Sequence, residues 1–201
     1  MTDQTLQLGD IDIDTPDRNK LLNMLAHVPA RVNIKGKASR HNTGVYFHQV
    51  PQDPFTKWCS LPYDQAQQMG CYKIDLLNNH VYAGVKNSVH LQRLMRTPPM
   101  WQLLEHEEFV QNLAHVNQHA DLVKKLRPQS VQQLAMVLAL IRPGKRHLVH
   151  QCHQQGWHSI EPEIWQPTSD SYSFKKSHAI SLAWTIVIQI NLLIENLSVV
   201  C

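Results

Sequence analysis

The sequence lacks any pairing pattern among its cysteines. It contains four cysteines in 201 residues, and no two of them have Cys-x-x-Cys spacing. Free thiols in a reducing compartment are the simplest interpretation, which predicts a cytoplasmic protein and argues against a secreted one. The four residues are Cys59, Cys71, Cys152 and Cys201.

The sequence also lacks a secretory signal and a complete membrane span. No basic segment followed by an apolar run opens it. Residues 179–194, AISLAWTIVIQINLLI, are strongly apolar, but Gln189 and Asn191 interrupt the run. Because about 20 largely apolar residues are needed to cross a bilayer, this segment predicts a buried helix and no membrane partner.

Acidic residues are scarce. The chain has 16 Asp and Glu against 19 Lys and Arg, a formal net charge of +3. This mild excess of positive charge permits a polyanionic partner without requiring one. A hydrophobic content of 43% predicts a globular protein with a true core, in one domain of about 150–200 residues or two smaller ones.

Periodicity divides the chain into an α+β part, residues 1–86, and a helical part, residues 87–201. Residues 10–14 have strand alternation and precede a helical pattern. Two further strand-like runs lie at residues 44–50 and 71–76. The fold class predicted from the sequence is therefore α+β, a small sheet followed by a helical region.

Capping residues place the ends of several elements. Thr15 as N-cap and Pro16 at the first helical position predict the start of the first helix. Ser130 is a plausible N-cap for a later apolar helix, which Pro143 and Gly144 terminate. The basic stretch RVNIKGKASRHNTG, residues 31–44, is typical of a turn or loop.

Three of the acidic residues alternate along one short predicted strand. Asp10, Asp12 and Asp14 alternate, so their carboxylates would share one face while Ile11 and Ile13 enter a core. Like charges on one face repel each other, so a cation is expected beside them.

A second strand-like run offers a partner for this acidic face. In YKIDLL, residues 72–77, Lys73 and Asp75 are two residues apart and therefore on one face. Carboxylates and a lysine on neighbouring strands suit metal-dependent phosphoryl transfer, in which two Mg²⁺ ions about 3.5–4 Å apart bridge the reacting groups. The alternative is an exposed acidic strand with solvated charges.

Five sequence blocks occur in the order of similar blocks in one enzyme family. They are DIDID, KASRHNTGV, YKIDLL, DLVKKLRPQSVQQLAMVLALIRPG and FKKSHAISLAW. In this order they resemble the palm and fingers of bacterial DNA polymerase III α subunits, the C-family replicative polymerases. The resemblance extends over most of residues 10–194 and implies a strongly shortened relative.

The resemblance implies a fold, an activity and a set of site residues. It implies a nucleotidyltransferase-like palm followed by a fingers-like region, template-directed DNA synthesis with two Mg²⁺ ions, and primed DNA, dNTP and other replisome proteins as partners. The catalytic and metal-binding positions it implies are Asp10, Asp12 and Asp75. The nucleotide- and DNA-binding positions it implies are Lys73, Arg40, His41, Arg142, Lys176, Ser177 and His178.

Two departures from the family pattern bear most on its proposed activity. The Gly-Ser loop that precedes the acidic strand in the family is absent, and Gly9 alone does not replace its triphosphate-binding amides. About 30 residues separate the IRPG and FKKSHA blocks, fewer than in the family. These departures leave a second hypothesis, a non-catalytic DNA- or replisome-binding module derived from such a polymerase. A compact relative of this kind would suit a viral genome, with the host cytoplasm as its location.

A histidine-rich segment offers a rival site. His147, His150, Cys152, His153 and His158 lie close in sequence, and imidazole and thiolate suit Zn²⁺. Their spacing matches no common zinc pattern, so surface histidines are the alternative reading.

Overall fold

The computed structural model describes residues 11–167 and 174–200, the last three of these by their backbone only. Helix accounts for 54% of the chain and strand for 17%, with one four-stranded mixed sheet, which confirms the α+β class. The chain divides into two compact units, Met1–Ala83 and Gly84–Cys201. We call them the N-terminal and the C-terminal unit; the boundary lies three residues before the predicted one.

The N-terminal unit is built on a sheet with the strand order β1-β4-β3-β2. The strands are β1 (Ile11–Thr15), β2 (Val28–Ile34), β3 (Lys37–Tyr46) and β4 (Ile74–Asn78). β1 and β4 are parallel, whereas β3 is antiparallel to both β4 and β2. The first and last strands in sequence are therefore neighbours in the sheet.

The basic stretch predicted as a turn is mostly a β-hairpin. β2 and β3 pair from Ile34 and Lys37 outward, with only Lys35 and Gly36 between them. Both residues have positive φ, 50° and 77°, as a two-residue type I′ turn requires. Glycine meets this requirement without strain, so a tight turn here pairs the two flanking segments.

The first helix begins later than predicted. Thr15 is the buried last residue of β1, and α1 runs over Arg18–Met24. The side chain of Asp17 accepts a hydrogen bond from the Lys20 amide, so Asp17 is the N-cap. The β1–β4 pairing extends to Thr15 and Asn78, which keeps Thr15 in the strand.

The core of the N-terminal unit lies under the inner strands. Leu22 of α1 packs with Val45 of β3 and Leu76 of β4. Ile11 and Ile13, predicted to enter a core, are instead 40% and 43% exposed. β1 is an edge strand, and α1 contacts β4, so the apolar residues of β1 lie outside the buried cluster.

A second small cluster lies beside β2. It joins Ala30 of β2, Tyr46 of β3 and Cys59 with Ala66 of α2 (Tyr63–Gln68). This packing places Tyr63, at the start of α2, close to the inner strands.

The C-terminal unit is helical in its described part. Its α-helices are α3 (Ser88–Arg96), α4 (Glu107–Val110), α5 (Ala120–Leu126), α6 (Val131–Leu140), α7 (Val149–Gln155), α8 (Glu161–Ile164) and α9 (Lys176–Val200). Short 3₁₀ helices lie at Trp101–Glu105, Asn117–His119, Pro143–Leu148 and Trp157–Ser159. The His, Gln and Pro residues in the stretch from about residue 143 to 172 predict a loop, but the structure is largely helical from Pro143 to Ile164.

α6 and α9 form the centre of this unit. Every residue of α6 from Leu134 to Leu140 is buried, and α9 contributes Ala183, Ile186 and Val187 to the same cluster. Lys176–Leu197 is long and apolar enough to cross a membrane by length and composition alone. Just over half of its most apolar window, 56%, is buried inside the protein.

Candidate active site

The two strands of the acidic face, β1 and β4, are neighbours in the sheet. In the parallel β1–β4 pairing, Asp12 stands in register with Asp75. Partners in register on neighbouring strands lie on the same face, about 4.8 Å apart along the hydrogen-bonding direction. The predicted adjacency of these strands is confirmed for Asp12 and Asp75; Asp10 lies outside the described residues.

Asp75 is the centre of the site. The residue is 9% exposed. Its Oδ1 accepts a hydrogen bond of 2.7 Å from the Thr43 hydroxyl. Its Oδ2 is in an ion pair with the Lys73 ammonium. Both carboxylate oxygens therefore have partners.

A bulge in β3 directs side chains to Asp75. Pro29 pairs with Val45 and Arg31 with Arg40, so residues 41–44 stand opposite Ala30 alone. An insertion of this kind breaks the hydrogen-bond ladder and re-aims side chains. It directs the Thr43 hydroxyl at Asp75 and holds the His41 ring beside it.

His41 holds the bulge in shape. Its Nδ1 accepts hydrogen bonds from the Gly44 amide at 2.9 Å and the Thr43 amide at 3.3 Å. An acceptor Nδ1 requires the neutral ring with its proton on Nε2. Nδ1 also lies 3.6 Å from Oδ1 of Asp75. His41 therefore shapes the backbone next to the carboxylate.

Burial and nearby cations favour the neutral form of His41. Burial is the largest cause that lowers the pKa of its imidazole, followed by the charge of Lys73, while Asp75 acts in the opposite direction. The direction agrees with the hydrogen bonds, because a protonated Nδ1 could not accept from the bulge amides.

Two arginines add positive charge beside the carboxylates. Arg18, at the start of α1, reaches the Thr43 carbonyl with its Nη2 at 3.5 Å. Burial and the neighbouring Arg40 lower the pKa of Arg18, and Asp75 raises it. The buried Nε of Arg18 has no hydrogen-bond partner among the described residues. Arg18 and Lys73 therefore both interact with the charge of Asp75, and Arg40 lies beside Arg18.

Lys73 lies in a narrow space between Tyr63 and Gly44. Its ammonium is 5.5 Å from the centroid of the Tyr63 ring. A Cβ built on Gly44 would come within 2.5 Å of the Lys73 Cδ and 3.0 Å of its Cγ. Gly44 therefore leaves the room that the methylene chain of Lys73 occupies.

Asp14 has a different environment. Its Oδ2 accepts a hydrogen bond of 3.2 Å from the side-chain amide of Asn79. The Asn79 backbone amide also donates to the Thr15 carbonyl at 2.8 Å. These bonds give Asp14 a structural task, joining the carboxyl ends of β1 and β4.

The acidic face presents two carboxylate donors to a metal ion, Asp12 and Asp75. Among residues 11–167 and 174–197, no group of three or more His, Cys, Asp or Glu side chains is arranged to hold a metal ion. Mg²⁺ is commonly held by one or two carboxylates, with water and substrate phosphates as the other ligands. Asp12 and Asp75 supply two hard oxygen donors on one face, so they fit such an ion.

In the C-terminal unit, the IRPG and FKKSHA blocks meet at one aromatic ring. The Arg142 guanidinium lies 3.9 Å from the centroid of the Phe174 ring. The His178 ring stands edge-on to the same ring, with centroids 5.1 Å apart. Lys176 and Ser177 are exposed in the first turn of α9. The IRPG and FKKSHA blocks thus form one local structure.

The rival zinc site does not form among the described residues. His147 pairs with Glu163 at 2.8 Å, and His158 is exposed beside Glu161. Cys152 is buried at 3% exposure, and burial raises the pKa of its thiol to about 11. Zinc binds the thiolate, so a buried neutral thiol next to solvent-facing histidines is a poor ligand set.

Sequence reasoning missed three residues around Asp75. The sequence pattern places Arg18 only in a helix and Thr43 only in the basic turn, and it assigns no role to Tyr63. The usable signal for Arg18 was its place at a helix start directly after the acidic strand. The sequence contains no pattern that would identify Thr43 or Tyr63. The bulge in β3 brings Thr43 to the site, and the packing of α2 against the sheet brings Tyr63.

No protein-family model, curated protein or solved structure matches this chain.

Proposed function

We propose that the N-terminal unit is the palm of a metal-dependent nucleotidyltransferase of the DNA polymerase III α type. In this reaction the 3′-hydroxyl of primed DNA attacks the α-phosphate of a dNTP, and pyrophosphate leaves. The observation that carries the proposal is the register of Asp12 and Asp75 on neighbouring parallel strands. The resemblance of the five sequence blocks gives the reaction class.

The carboxylates and the cations of the site have different proposed roles. Asp12 and Asp75 would hold Mg²⁺, which lowers the pKa of the attacking hydroxyl and offsets charge in the transition state when it is bound. Arg18, Arg40 and Lys73 stand beside them to neutralise the triphosphate. His41 keeps the bulge that orients Thr43, so we assign it a positioning task.

The C-terminal unit supplies the residues that the resemblance associates with the fingers. Arg142, Lys176, Ser177 and His178 are proposed to contact the nucleotide phosphates and the primer–template. The guanidinium, ammonium and hydroxyl groups among them are donors that suit phosphate oxygens. Other replisome proteins and a cytoplasmic location, in a host cell if the chain is viral, belong to the same proposal.

Primer extension by the full chain tests this function. With Mg²⁺ or Mn²⁺, wild type is expected to extend a primed template, and Asp12→Asn and Asp75→Asn are each expected to reduce incorporation by about a hundredfold or more. The reason is that the charge stabilisation from a bound metal is worth several kcal/mol.

Asp64→Asn is the matched control. Asp64 is an exposed carboxylate of the same unit, in the first turn of α2, and its loss should leave incorporation unchanged. Absence of incorporation by wild type with either metal, or equal incorporation by wild type and Asp75→Asn, would contradict the proposal.

A second candidate is a non-catalytic DNA-binding module. The observation in its favour is that Thr43 and Lys73 already occupy both oxygens of Asp75, as expected of a carboxylate with a structural task. The same preparations separate the two candidates. Salt-sensitive binding of primed DNA without incorporation would favour the second candidate.

A further inference from the structure

The ion pair at the centre of the site is unusually enclosed. The Lys73 and Asp75 side chains are only 10% and 12% exposed. A lysine head normally extends into water while its stem lies along the protein. Here the head is turned inward, onto the carboxylate oxygen that a divalent cation would also need.

Gly44 makes this inward course possible. It stands in register with Asp75 on the neighbouring strand, and the Lys73 stem crosses the place where a Cβ would lie. Gly44 is not among the residues with positive φ, so its backbone is open to any residue. Glycine is needed here for space and not for conformation.

We propose that Lys73 is an internal counterion that occupies Asp75 until a divalent cation displaces it. The displaced ammonium then turns to a phosphate of the incoming triphosphate. This inference rests on the proposed function, since it takes Asp75 as a metal ligand. It adds a regulatory step, in which the metal and the lysine compete for one carboxylate.

The competition follows from charge. Two cations on one carboxylate oxygen repel each other, so binding of the metal requires the ammonium to leave. An ammonium that leaves a partly buried pair needs another anion, and a triphosphate supplies one. The rotatable four-carbon stem of lysine permits the movement, which the planar guanidinium of an arginine would make more difficult.

Mn²⁺ binding to the full chain, measured by titration calorimetry or by the electron paramagnetic resonance of free Mn²⁺, tests the competition without any turnover. Lys73→Met should bind Mn²⁺ roughly 10- to 100-fold more tightly than wild type, the scale of a hydrogen bond to a charged group. Gly44→Ala should also bind Mn²⁺ more tightly, because its Cβ displaces the stem while the positive charge remains. Asp75→Asn should lose the binding.

Lys20→Met is the matched control. Lys20 is an exposed lysine of α1 in the same unit, so its replacement removes the same charge from elsewhere. It should leave Mn²⁺ affinity within about twofold. Lys73→Arg keeps a cation on Asp75 that is harder to displace, so it should bind Mn²⁺ no more tightly than wild type. Circular dichroism establishes whether each variant is folded. If Lys73→Met does not fold, the Mn²⁺ affinity of Gly44→Ala tests the proposal.

Three outcomes distinguish this inference from the proposed function. Tighter Mn²⁺ binding by both Lys73→Met and Gly44→Ala supports the counterion. If wild type binds Mn²⁺ and neither variant changes its affinity, the counterion proposal is wrong and the proposed metal site stands. If neither wild type nor any folded variant binds Mn²⁺, the metal site of the proposed function is wrong, and the counterion proposal is wrong as well.

Discussion

Single side chains in this protein take their chemistry from burial and from their nearest neighbours. His41 is held neutral because Nδ1 accepts from two amides of the β3 bulge. Cys152 is held as a thiol because its burial in α7 disfavours the charged thiolate. Cys152 thereby lacks the thiolate that a nucleophile or a metal ligand requires, and His41 lacks the proton on Nδ1 that a charged pair with Asp75 would require.

The reactivity of Cys152 follows from its pKa. Burial raises this pKa from an ordinary 9.0 to about 11, so at pH 8 the thiolate is about a hundredfold rarer in the folded chain than in the unfolded one. We expect iodoacetamide to alkylate Cys152 about a hundredfold more slowly in native protein than in denaturant, measured by mass spectrometry of the peptide.

The same pKa sets a dependence of stability on pH. Because the unfolded thiol ionises first, the contribution of Cys152 to stability is complete below pH 9 and is lost as the pH rises through about 11. Cys152→Ala should lack this dependence. Equal alkylation rates in native and denatured protein would contradict the prediction.

Among the elements, α6 shows how a local signal and tertiary packing act together. Ser130 accepts a hydrogen bond from the Gln133 amide at 3.1 Å, as the sequence pattern predicted. The helix that this cap starts is buried from Leu134 to Leu140. The cap therefore stabilises the helix at the centre of the C-terminal unit.

Loss of the cap should be measurable. Ser130→Ala is expected to lower the free energy of unfolding by about 1 kcal/mol, because one helix amide loses its acceptor. Chemical denaturation followed by circular dichroism measures the change.

Ser88 provides the comparison. It is the exposed first residue of α3, where Asn87 is the N-cap, and Ser88→Ala should change stability by less than about 0.5 kcal/mol. Equal effects of the two substitutions would show that the Ser130 cap has no special role.

At the scale of the whole molecule, the two units differ in the size of their cores. The C-terminal unit has one large cluster that joins residues from Leu104 to Ile190. From residue 11 onward, where the structure describes it, the N-terminal unit has two small clusters, one around Tyr46 and one around Val45. Stability rises with the apolar area that a domain buries, so the units should differ in stability.

Separate fragments test this difference. Residues 84–201 alone are expected to be helical and to melt cooperatively, at a higher temperature than residues 1–83 alone. Circular dichroism and calorimetry of the two fragments and of the full chain measure the melts. A non-cooperative melt of residues 84–201 would contradict the prediction that this core is sufficient for folding.

The sequence by itself determined the features that depend on local chemistry. The alternation of the acidic strand, the cap at Ser130 and the end of α5 before Pro128 follow from side-chain periodicity, hydrogen-bonding capacity and the missing proline amide. The α+β class of the fold follows from the same local patterns. These features require only neighbours within a few residues.

Only the tertiary structure decided how distant segments meet. Asp12 joins Asp75 because β1 pairs with β4, and Lys73 reaches Asp75 because Gly44 on β3 leaves space beside it. The exposure of Ile11 follows from the edge position of β1. Strand pairing, bulges and burial are interactions between segments far apart in the chain. The local pattern therefore places a residue on a strand, but the packing of the sheet selects its partner.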